Sequence, residues 1–267
     1  MQTHYRSFLF VPANRNERYL KALQSGTDAV IIDLEDAVPI ALKVTAREIL
    51  KQWLIQHPEF KVMIRVNAFD TEWFAADIQL AQFANVSAII LPKAEHELAF
   101  TAIQQVRELA IYPIIETPYG MSSVEKIAHF SGVKALMFGS IDFQLEMDMQ
   151  GDFLELLYFR NRIVLASKLA GLDSPIDGVT ADFSNTDLIK TETLQAKKLG
   201  FQAKLCIHPR QVNIVNDAFK ATQAEIQWAI EVLDAVQANQ GQTISLHGKM
   251  IDKPIIAKAE KILSQVT

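Results

Sequence analysis

Ala29–Asp36 reads AVIIDLED, and the same design returns as KVMIRVN at Lys61–Asn67, AIILPK at Ala88–Lys93 and YPIIET at Tyr112–Thr117. Each is a short, nearly unbroken apolar run that ends in charged or polar residues. Runs of this kind suit strands buried on both faces, as in a parallel sheet. Working outward, Ser7–Ala13 precedes them, and Ala135–Asp142, Pro175–Asp182 and Ala203–His208 follow, which makes eight candidate strands. Segments of helical period lie between them. Val44, Ile49, Leu50, Trp53 and Leu54 share one helical face, as do Ala99, Ile103, Val106 and Ala110. Gly26, Gly171 and Gly200 follow three such segments, where a left-handed helix cap favours glycine. Eight strands alternating with helices predict an α/β fold, a (β/α)₈ TIM barrel with a C-terminal helical extension. An open doubly wound sheet is the alternative, but no glycine-rich phosphate loop supports it.

The 267 residues match the usual size of one such barrel. The reading assigns 1–239 to the barrel and 240–267 to the extension, which it expects to pack on a neighbouring subunit. Within the extension, Thr243–Leu246 has strand character and Pro254 opens a helix carrying Ile255, Ile256, Ala259, Ile262 and Leu263. A net charge of −5 and an isoelectric point near 5.7 argue against a nucleic-acid partner. The single cysteine, Cys206, rules out an internal disulfide or a cysteine zinc cluster, and a buried strand thiol is the plain reading. The opening MQTHYRSFLFVP lacks the apolar core of a signal peptide, and no run reaches membrane-spanning length. The expectation is a cytoplasmic protein with no membrane partner.

In a barrel the catalytic groups gather where the strands end at their C-termini. Asp33, Glu35 and Asp36 end the second run, Arg65 and Asn67 the third, and Lys93 the fourth. Glu116, Asp142, Asp177 or Asp182, and His208 end the remaining four in turn. Glu116 and Asp142 end consecutive strands, and two neighbouring carboxylates suit Mg²⁺, which takes oxygen ligands and keeps several waters. Solvated loop carboxylates or helix caps fit the spacing equally well. Arg65, ending a buried run, must pair with a rim carboxylate such as Glu35 or with a substrate anion. A desolvated Lys93 could form a Schiff base with a carbonyl substrate, as in a 2-oxo acid aldolase. An exposed lysine after Leu91–Pro92 is the simpler account. His208, without a second histidine nearby, reads as a structural residue.

The order of these motifs resembles that of the citrate lyase β-subunit-like proteins. They form a branch of the HpcH/HpaI aldolase/citrate lyase family, which also holds malyl-CoA and citramalyl-CoA lyases. The resemblance runs through Arg6–Ala13, Asp33–Val38, Ile64–Asn67, Leu91–Lys93, Ile115–Thr117 and Phe138–Asp142. It continues through Ile176–Val179, Gly200–Phe201, Ile207–Pro209 and Gly248–Pro254. It implies a Mg²⁺-dependent carbon–carbon lyase acting on a 3-hydroxyacyl-CoA thioester. Glu116 and Asp142 match the family's Mg²⁺ ligands, and Arg65 matches an arginine on the substrate oxygens. Asp252 matches an acid/base aspartate supplied by a neighbouring subunit, in a family whose members are commonly homotrimers. Arg6, Arg15, Lys204 and His208 match parts associated with substrate and CoA binding. Asp33, Glu35 and Asp36 match supporting residues behind Arg65 and the metal. The same fold would also serve a lyase subunit acting on an acyl carrier protein, or a catalytically silent CoA-binding protein. Two departures stand out: Ala203–Lys204 replaces the usual Gly–Lys, and Phe143–Gly151, expected as a loop over the metal, is rich in Met, Glu and Asp.

Overall fold

A computed structural model describes residues 5–151, 153–238, 244–246 and 249–264. Eight parallel strands close into a barrel in sequence order. They are β1 (Ser7–Pro12), β2 (Ala29–Asp33), β3 (Val62–Arg65), β4 (Val86–Leu91), β5 (Ala110–Ile115), β6 (Met137–Phe138), β7 (Ile176–Asp177) and β8 (Ala203–Cys206). Closure comes from β1 pairing with β8, Ser7 opposite Lys204 and Leu9 opposite Cys206. All eight expected runs form strands. Ala110, expected on a helix face, instead begins β5.

Side chains alternate across each strand, so one set fills the barrel and the other meets the helices. Phe8, Ile31, Met63, Ile90, Ile114 and Leu205 pack together as the interior. Val30, Ile32, Ile64, Ile89, Ile115 and Cys206 belong to the larger core shared with the helices. Cys206 is buried there, and burial pushes its thiol pKa up to about 12, so it is no nucleophile. This alternation decides which rim residues can face the mouth. Asp33, Arg65 and Glu116 each lie two residues beyond an inward position, and each continues the inward row.

The helix Lys43–Gln56 buries Ala46, Leu50, Trp53 and Leu54. Val44, expected on that face, is 59% exposed, and Lys43 is buried in its stead. Gly200 ends the helix Thr186–Leu199 at φ +109, a left-handed cap that costs glycine no Cβ clash.

A second compact unit begins at Lys220, ahead of the boundary expected after residue 239, which itself lies outside the described residues. The helices Gln223–Ala238 and Lys253–Ser264 account for this division. Ala229, Val232, Ile251 and Ala259 form a small core with Trp228, Ile255, Ile256 and Ile262 around it. Two short antiparallel strands, β9 (Ile244–Leu246) and β10 (Lys249–Ile251), join the pair of helices. Of the expected Thr243–Leu246 strand, Thr243 lies outside the described residues, as does Gly248 of the final motif. Among the described residues no helix is long and apolar enough to cross a membrane.

Candidate active site

The mouth is organised around Arg65. Asp33 and Arg65 are register partners on β2 and β3, and their side chains form a two-bond clamp. Arg65 Nε donates to Asp33 Oδ1 at 2.7 Å and Nη2 donates to Oδ2 at 2.6 Å. The third nitrogen, Nη1, lies 3.0 Å from Glu35 Oε2 and 3.5 Å from Asp36 Oδ2. A planar guanidinium suits this arrangement, because its fork matches a carboxylate edge while the remaining donor points elsewhere. Phe10 of β1 lies under the guanidinium, 4.7 Å from ring centroid to Cζ. Asp33 is itself fixed, accepting the main-chain N–H groups of Glu35 at 2.9 Å and Ala37 at 3.2 Å. The sequence left Arg65 between a rim carboxylate and a substrate anion, with Glu35 as the candidate partner. The dominant partner is Asp33.

Glu116 follows β5 and is buried. Its Oε1 accepts the main-chain N–H of Lys93 at 2.8 Å, from a lysine whose backbone sits at φ +43. A left-handed non-glycine residue is strained, and here the strain aims an N–H at the carboxylate. The Lys93 side chain is exposed, so it lacks the desolvation that a Schiff-base lysine uses. Glu116 also depends on Gly139 across the β5–β6 pair. A Cβ at Gly139 would collide with Glu116 Cβ and stand 2.5 Å from its Oε2.

Asp142 lies in the first turn of the helix Ser140–Glu146 and not on an extended β6. Phe143 of that helix is buried against Phe138 and Phe159, so the segment after Gly139 is helical through Glu146 where a loop was expected.

Three carboxylates with raised pKa values meet here. Burial pushes Glu35 up to about 7, with Arg65 opposing and Asp36 and Asp33 adding to the rise. Burial raises Glu116 well above the usual carboxylate range, Glu35 and Asp142 adding and Arg65 opposing. Burial and Asp36 raise Asp142, against Arg65 and Lys93. Glu35 Oε2, though close to Arg65, is not aligned to accept a hydrogen bond and is buried without one. The mouth thus holds more negative charge than its cations balance.

That imbalance and an all-oxygen donor set fit Mg²⁺. Among the described residues no cluster of three or more His, Cys, Asp or Glu side chains could hold an ion alone. Mg²⁺ does not require one, being commonly bound by one or two carboxylates with water and substrate completing the shell.

The other expected site residues divide. Arg15 follows β1 at the rim, exposed and paired with Glu17 at 2.6 Å. His208 follows β8, stacks on Phe183 with ring centroids 4.6 Å apart, and accepts the Arg210 N–H at Nδ1. Burial, Arg210 and Lys21 lower its pKa. Arg6 and Lys204 do not join them. Arg6 precedes β1 and therefore stands at the opposite end of the barrel, 3.7 Å from Asp28. Lys204 alternates with inward-facing Ala203 and Leu205, so it points toward the helices and is buried. There its Nζ lies 3.1 Å from Asp177 and 3.5 Å from Glu192, while Arg160 Nε donates to Asp177 at 2.9 Å. Asp177 is engaged in this ionic cluster and does not face the mouth. Asp182, the other candidate end of the seventh run, is exposed and accepts from Ser184.

Asp252, in the second compact unit, is exposed and caps the helix Lys253–Ser264, its Oδ1 accepting the Ile255 N–H at 3.2 Å. Lys43, Arg47 and Gly139 were missed by sequence reasoning. For Gly139 a signal was present, since the Phe138–Asp142 motif places a glycine beside the strand that ends in Glu116.

Comparisons with known proteins bear on the family and the fold. Residues 6–209 match the model of the HpcH/HpaI aldolase/citrate lyase family, and residues 173–267 match that of a carbon–carbon bond lyase of the TIM-barrel fold. A citrate lyase subunit beta-like protein from Deinococcus radiodurans is 31% identical, covering 97% of this chain and 96% of its own length. A (3S)-malyl-CoA thioesterase from Cereibacter sphaeroides is 30% identical over 99% of this chain and 95% of its own. Among solved structures, CitE from Mycobacterium tuberculosis in complex with magnesium, acetoacetate and coenzyme A superposes with a TM-score of 0.86. It is 28% identical, and 99% of each chain is covered.

Proposed function

Because the chain belongs to the HpcH/HpaI aldolase/citrate lyase family of carbon–carbon lyases, we propose that it cleaves or forms a 3-hydroxyacyl-CoA thioester. Citramalyl-CoA, malyl-CoA and citryl-CoA are the candidate substrates, giving a 2-oxo acid and an acyl-CoA. The observation that carries this reading is the clamp of Arg65 on Asp33, facing an excess of buried carboxylate at the barrel mouth.

Glu116 and Asp142 would hold Mg²⁺, which when bound supplies Lewis acidity toward substrate oxygens. Arg65, oriented by Asp33, offers Nη1 to the carboxylate and the oxygen that becomes the ketone of the 2-oxo acid. Because the guanidinium is already fixed, it stabilises charge there without reorganising. As the hydroxyl loses its proton to solvent and becomes the ketone, the carbon–carbon bond breaks and leaves its electron pair on the carbon α to the thioester carbonyl, as an enolate. Asp252 would deliver a proton to that carbon, or remove it in the condensing direction. We assign Asp252 to a site on a neighbouring copy within a homotrimer, as the family resemblance implies. Arg15 and His208 are the rim residues free to meet the CoA portion, whereas Arg6 and Lys204 are withdrawn from that role. Asp33, Glu35 and Asp36 act through Arg65.

Purified protein assayed against the three thioesters, with Mg²⁺ and with EDTA, tests the reading. Release of pyruvate, glyoxylate or oxaloacetate identifies the substrate, and the activity is expected to vanish in EDTA. Free CoA released with no 2-oxo acid would mean thioester hydrolysis and would overturn the lyase assignment.

A further inference from the structure

Two cations lie one turn apart on the helix Lys43–Gln56, beneath the mouth and outside it. Residues at this spacing share a helix face. Lys43 Nζ donates to the main-chain carbonyls of Leu34 at 2.8 Å and Glu35 at 2.7 Å. It also lies 5.6 Å from the centre of the Trp73 ring. Arg47 Nε donates to Asp77 Oδ1 at 2.6 Å. The other Asp77 oxygen accepts the Asn67 main-chain N–H at 3.0 Å and its side-chain Nδ2 at 2.6 Å. Asp77 and Asn67 are both buried.

What these cations hold is informative. Leu34 and Glu35 directly follow Asp33, and Asn67 comes two residues after Arg65. Lys43 therefore grips the loop that leaves β2 directly, and Arg47 holds the loop that leaves β3 through Asp77. The Leu34 N–H also donates to the Arg65 carbonyl at 2.9 Å, so the two loops are tied to each other as well. Burial lowers the Lys43 pKa, and Asp33, Glu35, Asp36 and Asp77 draw it back up. Removing an ammonium from water is costly, and an apolar side chain at this position would avoid that cost. Core stability alone does not favour a lysine here. A lysine does allow one helix to reach two carbonyls at the start of the acidic loop and fix where Glu35 leaves β2.

We propose that Lys43 and Arg47 are positioning residues for the Arg65 clamp, holding the β2 and β3 rim loops in the register at which Asp33 and Glu35 converge on one guanidinium. The proposal rests on Arg65 being the group that meets substrate oxygens. Neither residue touches substrate: Lys43 acts through main-chain carbonyls, and Arg47 acts through the Asp77 carboxylate that holds Asn67.

The test compares Lys43→Met, Lys43→Gln and Arg47→Met with the unaltered protein. Nitrogen-15 spectra report the Arg65 Nε–H, identified by its loss in Arg65→Lys. In a folded Lys43→Met or Arg47→Met this signal should shift and exchange faster with water. Their kcat for Mg²⁺-dependent cleavage of malyl-CoA should fall by roughly 10- to 100-fold, the usual cost of losing an orienting partner. Lys43→Gln, which keeps one donor, should fall between. An unchanged Arg65 signal in a folded Lys43→Met would overturn the proposal, whatever the activity. If Lys43→Met does not fold, Lys43→Gln carries the test on the same two outcomes. If the unaltered protein cleaves none of citramalyl-CoA, malyl-CoA and citryl-CoA, the substrate assignment fails, and the guanidinium signal still decides the positioning role.

Discussion

Replacing Glu35 with glutamine removes one carboxylate from the mouth while nearly preserving its volume. Glu35 is 8% exposed, and its pKa is raised from an ordinary 4.5 to about 7, mainly by burial and despite Arg65. A native state that holds a proton more tightly than the unfolded chain loses stability as pH rises between those two values. The penalty is absent below the unfolded value and complete above about 7. Moving a carboxyl that far corresponds to about 3 kcal/mol, an upper bound because local relaxation softens buried charge. Glutamine carries no such penalty. Metal-free Glu35→Gln should therefore match the parent protein at about pH 4.5, the usual glutamate pKa. It should exceed the parent by up to about 3 kcal/mol at about pH 8, or roughly 6–12 °C in Tm for a chain of this size. Thermal and urea unfolding in EDTA across that pH range measure the difference. A variant that matches the parent at low pH and falls below it as pH rises would refute the reasoning, since the Glu35–Arg65 pair would then be net stabilising.

Glu116→Ala and Asp142→Ala should each lose Mg²⁺-dependent turnover and the rise in Tm on adding Mg²⁺, with circular dichroism unchanged, because rim residues contribute little to the core. Full turnover in either variant would remove that residue from the metal site. Gly139→Ala drives a Cβ into Glu116 and should weaken Mg²⁺ binding by calorimetry while destabilising the fold by about 1–3 kcal/mol; unaltered affinity would show that Glu116 does not depend on this gap. Asp252→Ala and Glu116→Ala, each inactive alone, should regain activity when mixed under subunit exchange, because some sites then combine an intact metal centre with an intact aspartate. Demonstrated exchange without activity would end the shared-site proposal.

The fold was legible because every strand is buried on both faces, so eight apolar runs stand out without any alternation. The same property hid the side of the strand on which a polar residue falls. Asp177 and Lys204 ended or began apolar runs just as Glu116 did, yet they face the helices, where Arg160 and Glu192 complete the pairing. Hydrophobicity cannot separate inward from outward when both are apolar. Only packing assigns Ala203 and Leu205 to the interior, which turns Lys204 away from the mouth. Arg6 is a different case. A residue preceding a strand of a parallel barrel lies at the face away from the catalytic rim, so its position could have been read from the strand alone. Strand ends at β6 and β7 were overextended because apolar residues recur beyond Gly139 and Gly178, at Ile141 and Val179. At Gly178 the chain passes so close to Ser140 and Phe138 that a side chain has no room.

Helix periodicity failed at Lys43 for a related reason: it assumes that buried positions are apolar, and this one is occupied by a cation whose partners are two main-chain carbonyls. The converse applies to the final helix. Its apolar face was expected to need a neighbouring subunit, but Ala259 and Ile262 find their partners in the helix Gln223–Ala238 of the same unit. The case for Asp252 acting on another copy is thereby relieved of that argument and rests on the family resemblance and on the residue's exposure. Its capping role does not compete with proton transfer. A carboxylate held by the Ile255 N–H has its side chain fixed while remaining open to solvent, and a proton donor must keep a defined direction toward the carbon it serves.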